Sequence, residues 1–311
     1  MAAALLFLVF VAPKGMTAAI YGVLMAIGTY ELLYSTGLVK HNRLVIYSVV
    51  MAFLVTMWSY WNAIHAYLLL LLLVFLIALF TEMMLDHVKV RISALGLCVL
   101  GGFLVPFLLS SVIRILSLKV GRFFVLIPFV IACVNDAGAY LVGMRYGKHK
   151  LAPVVSPNKT IEGLLGGIGA AVLSMLIYCL LLQITEGFRI NYFYAFDYGV
   201  LGAAIGAFGD LCFSIIKRQT GIKDYGNLIP GHGGVLDRLD SMMTVAPLIE
   251  LLLILMPVAV VSYGQKCKHP GLHRLHRSAV LGYYQPDGGC EGHCPHCRIL
   301  CRADGPAVPG I

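Results

Sequence analysis

Residues 161–184, IEGLLGGIGAAVLSMLIYCLLLQI, carry a single charge, Glu162, in 24 positions. A helix of that length and character is apolar all round, and about 20 such residues match the ~30 Å hydrocarbon core of a bilayer. Seven further runs of this kind follow from the pattern, at 16–38, 44–61, 66–80, 93–113, 123–142, 198–216 and 242–263. A shorter one lies at 2–12. With 59% hydrophobic residues and a mean hydropathy of +0.87, the chain has more apolar surface than a water-soluble core of its 311 residues could cover. The expected fold is all-α, a polytopic integral membrane protein of about nine transmembrane helices. The runs at 44–61 and 66–80 lie so close together that a re-entrant pair is the alternative. The opening segment lacks a basic n-region and a small-residue cleavage site, and so reads as a short first span rather than a removable leader.

The net charge of +8 sits in short loops between the apolar runs. That is the pattern of topology signals and lipid-headgroup contacts, and nucleic acid is not an expected partner. If all nine runs cross, Lys40, Arg43, Lys89, Arg91, Arg145, Lys148, Lys150, Lys159, Lys217, Arg218, Lys223 and Arg238 share one face. Lys14, Arg114, Lys119, Arg122 and Arg189 take the other. The richer face is then cytoplasmic, and it receives both charged loops of the chain, 145–160 and 217–240.

Acids inside apolar runs are costly and mark sites by default. Glu31, Asp136, Asp210 and Glu250 are the candidates. Glu31 and Glu250 stand alone, and a structural hydrogen-bonding role competes with a functional one for each. Asp136 lies with Asn135 and Tyr140 among glycines that permit close approach. Asp210 heads a helical stripe of Asp210, Ser214, Lys217, Arg218 and Gly221. Downstream, IPGHGG surrounds His232 with Gly231, Gly233 and Gly234, and Asp237 and Asp240 are expected to share a face of a helix beginning near Val235. A glycine-rich entry to a helix suits phosphate, and paired carboxylates suit a hard divalent cation such as Mg²⁺. The loop with Lys148, His149, Lys150, Ser156, Asn158, Lys159 and Thr160 reads as a polyphosphate-binding wall, with Asn158 or Thr160 capping the next helix.

Read in order, S-x-x-K-R-x-x-x-x-K-D (Ser214 to Asp224), P-G-H-G-G (Pro230 to Gly234) and L-D-R-x-D (Leu236 to Asp240) resemble the signature of phosphatidate cytidylyltransferases, also called CDP-diacylglycerol synthases. N-D-x-x-A-Y-x-x-G from Asn135 and S-P-x-K-T-x-E-G from Ser156 are similar to that family too. The likeness covers residues 1 to about 263. It implies a membrane enzyme, a homodimer, that joins CTP to phosphatidate in the lipid bilayer and releases pyrophosphate. It implies a divalent metal, Mg²⁺, with a second cation as a further expectation, and makes Asp210 and Asp237 the metal ligands. Lys217, Arg218, Lys223, Asp224, Arg238 and Asp240 become catalytic candidates. Asn135, Asp136, Ser156, Lys159, Thr160, Ser214, His232, Gly233 and Gly234 become substrate-binding ones. A CTP-dependent polyprenol kinase, an ether-lipid synthase and a transporter remain as alternatives.

Two features depart from the family pattern. A basic residue often found near its N-terminus is missing, and residues 264–311 hold five of nine Cys and five of ten His. Cys290, Cys294, Cys297 and Cys301 with His293 and His296 have zinc-ligand spacing, yet the surrounding sequence reads as a disordered or non-essential tail.

Overall fold

The computed structural model describes residues 12–39, 41–61, 65–88, 90–118, 120–226 and 233–260. The expected span at 2–12, His232 and the tail at 264–311 lie outside the described residues, apart from Ala12.

Among the described residues, seven helices are long and apolar enough to cross a membrane: α1 (Lys14–Ser35), α2 (Asn42–Trp61), α3 (Ala66–Leu85), α4 (Ile92–Ser117), α5 (Gly121–Tyr146), α6 (Ile161–Glu186) and α7 (Tyr192–Gln219). The protein is an integral membrane protein. On α3, Leu69, Leu70, Leu73, Val74 and Ile77 each expose more than half of their surface, an apolar face suited to lipid. α2 and α3 are separate helices, each long and apolar enough to cross a membrane.

An eighth helix, α8 (Met242–Leu255), is shorter than the expected run to residue 263. Its 14 residues reach about 21 Å, short of the ~30 Å core. The cause is Pro257, because the residue before a proline is pushed out of the helical region. Met256 has φ −138° and ψ 69°. The chain then pairs Ala259–Val260 (β4) with Arg189–Ile190 (β3) in a two-residue antiparallel ladder.

α4 is not a regular rod. Leu100–Leu104 winds as a π-helical turn just before Pro106. Gly102 lies against α2, where a Cβ would come within 2.9 Å of the Ser48 Cα. The Thr29 hydroxyl on α1 donates to the Gly101 carbonyl at 2.8 Å, supplying a partner inside the apolar core.

α5 packs along α6, and α6 along α7, through small residues. A Cβ on Gly138 would meet the Ala170 Cβ at 2.6 Å, and one on Gly199 the Val172 Cα at 2.6 Å. Between α5 and α6 the chain forms a hairpin, Lys150–Ala152 (β1) with Ser156–Thr160 (β2). Successive antiparallel crossings bring the end of α5, this hairpin, the start of α6 and the end of α7 to one end of the bundle. The end of α1 joins them there through its contacts with the loop after α7.

Candidate functional site

α7 delivers the acidic and basic stripe that its sequence period predicts. Ser214 Oγ donates to Asp210 Oδ1 at 3.4 Å, one turn apart. Another turn on, Lys217 Nζ donates to Asp237 Oδ1 at 3.0 Å and stands 5.5 Å from the centre of the Tyr225 ring. Arg218 is exposed, and its Nε donates to the Val155 carbonyl at 3.1 Å, tying the hairpin tip to the end of α7.

The hairpin brings Lys159 onto Asp210 as an ion pair. Thr160, rather than Asn158, caps α6, accepting from Gly163 N at 3.1 Å. Glu162 in the first turn accepts from Lys148 N at 3.1 Å and pairs with His149 Nδ1 at 2.6 Å, so those two loop residues are held locally.

Behind Lys159 and Asp210 opens a cavity of about 230 Å³. Asn135, Asp136, Tyr140, Asn158 and Thr160 line it with them. Asn135 is 2% exposed, and its Oδ1 is buried without a hydrogen-bond partner among the described residues. α6 comes close because residue 167 is glycine: a Cβ there would sit 2.6 Å from that oxygen.

The loop after α7 differs from expectation in its entry to the last helix. No helix begins at Val235. Leu236–Arg238 form a single 3₁₀ turn, and α8 starts at Met242. Asp240 falls between the two, and its Oδ1 accepts from Ser241 N at 2.8 Å. Asp237 is held three ways: Lys217 on Oδ1, and on Oδ2 the backbone N–H groups of Tyr225 at 2.8 Å and Gly234 at 3.1 Å. Gly233 has φ +78°, a conformation that glycine adopts freely. Burial, and then the charge of Asp210, push the Asp240 carboxyl up to about 7. Lys217 opposes that shift, and the Asp136 charge adds to it, so Asp136, Asp210, Asp240 and Lys217 share one electrostatic neighbourhood.

Most of the candidates from the sequence thus meet. Asn135, Asp136, Lys159, Thr160 and Asp210 line the cavity, Ser214 is bonded to Asp210, and Lys217, Gly234 and Asp237 form a second connected set. Ser156 lies in β2 and is not among the cavity-lining residues. Lys223, Asp224 and Arg238 are exposed on the loop, with Asp224 near Gly233. Among the described residues no three of His, Cys, Asp and Glu are arranged to hold a metal by themselves. Sequence reasoning left Ser35 and Tyr225 out and did not connect Glu31 to this loop. Glu31 Oε2 accepts from Leu236 N at 3.2 Å, and the Ser35 hydroxyl donates to the Tyr225 carbonyl. The i, i+4 spacing of Glu31 and Ser35 at the end of a span is the one signal that pairs them.

Comparison with known proteins gives a consistent result. Residues 1–256 match the model of the cytidylyltransferase family. A phosphatidate cytidylyltransferase of Staphylococcus haemolyticus is 43% identical over 136 residues, 44% of this chain and 51% of that protein. One from Staphylococcus aureus (strain COL) is 44% identical over 134 residues, 43% of this chain and 50% of its own length. The chain spans about half the length of the curated relatives it matches.

Proposed function

The chain belongs to the cytidylyltransferase family, and from that premise we propose that it transfers the cytidylyl group of CTP to phosphatidate, giving CDP-diacylglycerol and pyrophosphate. The observation that carries this reading is a pair of lysine–aspartate contacts: Lys159 with Asp210 in the wall of the cavity, and Lys217 with Asp237 on the adjoining turns of α7 and the loop that follows it. Ammonium groups beside carboxylates let one site attract both a polyanion and a cation.

In the reaction a phosphate oxygen of phosphatidate attacks the α-phosphorus of CTP. A P–O bond forms there as the bond to the departing pyrophosphate breaks. The attacking phosphate is already anionic near neutrality, so positioning and charge neutralisation do most of the catalysis. Lys159 and Lys217 leave their carboxylate partners to contact phosphate oxygens through charge-assisted hydrogen bonds. Arg218, Lys223 and Arg238 add positive charge at the entrance. Asn135, Ser156, Thr160, Ser214, His232, Gly233 and Gly234 offer hydrogen-bonding groups to the substrates. The acyl chains remain in the bilayer while the headgroup reaches the cavity.

The donor set fits a hard divalent cation. Asp136 and Asp210 line one cavity, and Asp240 beside them is raised first by burial and then by the charge of Asp210, so carboxylate oxygens gather where a cation would be favoured. Mg²⁺ commonly takes only one or two carboxylates and completes its shell with water and substrate phosphate, so a preformed three-residue cage is not required. Asp210 and Asp237 would hold it, with Asp240 and Asp224 in support. When bound, the ion would neutralise developing charge on the triphosphate. The excess of basic residues on loops at this end of the bundle supports a cytoplasmic site.

The test is incorporation of labelled CTP into lipid by the purified protein, with and without phosphatidate, followed by identification of the lipid headgroup. Phosphatidate-dependent formation of a CDP-lipid is the expected result. A phosphorylated polyprenol instead would replace this reading with the kinase alternative.

Two predictions belong here. Lys217→Ala removes a desolvated charge-assisted contact, worth roughly 2–3 kcal/mol. It should lower kcat/KM for CTP or phosphatidate at least about tenfold, or ~1.4 kcal/mol. Wild-type kinetics in that variant would reduce these cations to topology signals. The catalytic unit is assigned to residues 1–263, so a chain ending after Gly264 should insert and turn over normally. Loss of activity on that truncation would show that the Cys- and His-rich segment has a catalytic or structural role.

A further inference from the structure

Glu31 does not line the cavity, yet the residue is only 7% exposed and its carboxylate reaches a loop 205 residues away in sequence. Its Oε2 accepts from Leu236 N at 3.2 Å, and its Oε1 is buried without a hydrogen-bond partner among the described residues. The backbone N–H groups of Leu236 and Val235 both act on this carboxylate, yet with one oxygen left unpartnered its desolvation is only partly offset. The surroundings suggest what it is for.

Gly226 and Gly234 bracket the glycine-rich segment, and both sit against this one side chain. A Cβ on Gly234 would lie 2.6 Å from Glu31 Oε2 and 2.8 Å from Gly226 N. A Cβ on Gly226 would lie 2.9 Å from Glu31 Cγ. The two strands of chain that lead into and out of the segment therefore meet at Glu31, with no room for a side chain on either. One turn further along α1, the Ser35 hydroxyl donates to the Tyr225 carbonyl at the same neck. From the other side Asp237 ties the same two strands through Tyr225 N and Gly234 N, and it is this carboxylate that holds Lys217.

We infer that Glu31, assisted by Ser35, is a positioning residue that clamps Tyr225–Gly226 against Gly234–Leu236 and thereby fixes Asp237 and Lys217. The effect on turnover rests on the proposed cytidylyl transfer; the clamp itself does not. α1 is then part of the catalytic machinery rather than only a lipid-facing wall. Misplacing a reacting group by about 1 Å can cost a hundredfold in rate. The loss therefore falls on kcat more than on KM.

The experiment compares Glu31→Ala, Glu31→Gln and Ser35→Ala in the purified full-length protein, by CTP kinetics and by hydrogen–deuterium exchange over residues 223–240. Glu31→Ala should lower kcat at least about tenfold, change KM for CTP less than about threefold, and speed amide exchange at 225, 234 and 236. Glutamine keeps an acceptor for Leu236 N–H and should recover most of both losses. Equal damage in Glu31→Gln would overturn the acceptor role, and unchanged kcat and exchange in Glu31→Ala would overturn the clamp. Should Glu31→Ala fail to fold, Ser35→Ala decides, because it removes a neck contact without disturbing a buried charge. Faster exchange at 225 with reduced kcat supports the clamp, and wild-type values overturn it. If the wild-type protein makes no CDP-lipid, the proposed reaction falls, while exchange still tests the clamp by itself.

Discussion

Asp237→Asn should leave the protein folded and inserted but lower kcat at least about a hundredfold, ~2.7 kcal/mol. The substitution preserves shape, so the two backbone donors, Tyr225 N and Gly234 N, can still find the side-chain oxygen. It removes the negative charge that holds Lys217 at 3.0 Å. It also removes a charge from the set proposed to hold a divalent cation. A single charge-assisted contact contributes about 2–3 kcal/mol when desolvated, and this residue makes one observed contact of that kind and is proposed to make a second. Mg²⁺-dependent CTP incorporation by the purified variant, set beside its thermal unfolding, measures both halves of the expectation. Near-normal turnover would remove Asp237 from the site. Reduced turnover with equally reduced thermal stability would point to a folding role instead.

The stripe that contains Lys217 was legible because a helix imposes a short, regular period. Asp210, Ser214 and Lys217 recur at spacings of four and three, and α7 continues to Gln219 without interruption. The same is true of the membrane spans, since apolar length is read directly from composition. Legibility ended where backbone geometry or long-range contact decided the outcome. Asp237 and Asp240 have helical spacing, yet Asp240 accepts from its neighbour's N–H and the chain makes a 3₁₀ turn instead. α8 stops at Leu255 because of Pro257, a signal that was in the sequence but was outweighed by the apolar run around it. The π-turn in α4 lies just before Pro106, where Gly101 and Gly102 pack against α1 and α2, and the apolar run around it gave no sign of the change in winding. Glu31 was visible as a lone acid, but nothing local could say that its partner lay 205 residues on.

Arg114 shows the same limit with a larger energetic consequence. One residue past its expected span, it reads as a loop cation, whereas it stands in the last turns of α4. Its Nε and Nη2 donate to both oxygens of Glu250 on α8, at 2.7 and 2.8 Å. Nη1 reaches Ser110 Oγ at 2.8 Å and Ser59 Oγ at 3.2 Å, Nη2 also reaches Ser111 Oγ at 2.7 Å, and the Phe107 ring lies 4.9 Å away. Such saturation marks Glu250 as structural rather than catalytic. It joins α4 to α8, a helix too short for the bilayer alone to hold. Breaking a buried pair by removing one partner costs about 3–5 kcal/mol. With side chains 19% and 23% exposed, the lower end applies. Glu250→Ala or Arg114→Ala should therefore each destabilise the detergent-solubilised protein by about 3 kcal/mol, seen as a lower unfolding temperature and reduced folded yield. Arg114→Met combined with Glu250→Leu should recover most of that loss, because no unpaired charge is left behind. Single variants as stable as wild type would show that the pair is solvated in practice. A double variant no better than the singles would move the stabilisation from the ion pair to the serine hydroxyls around it.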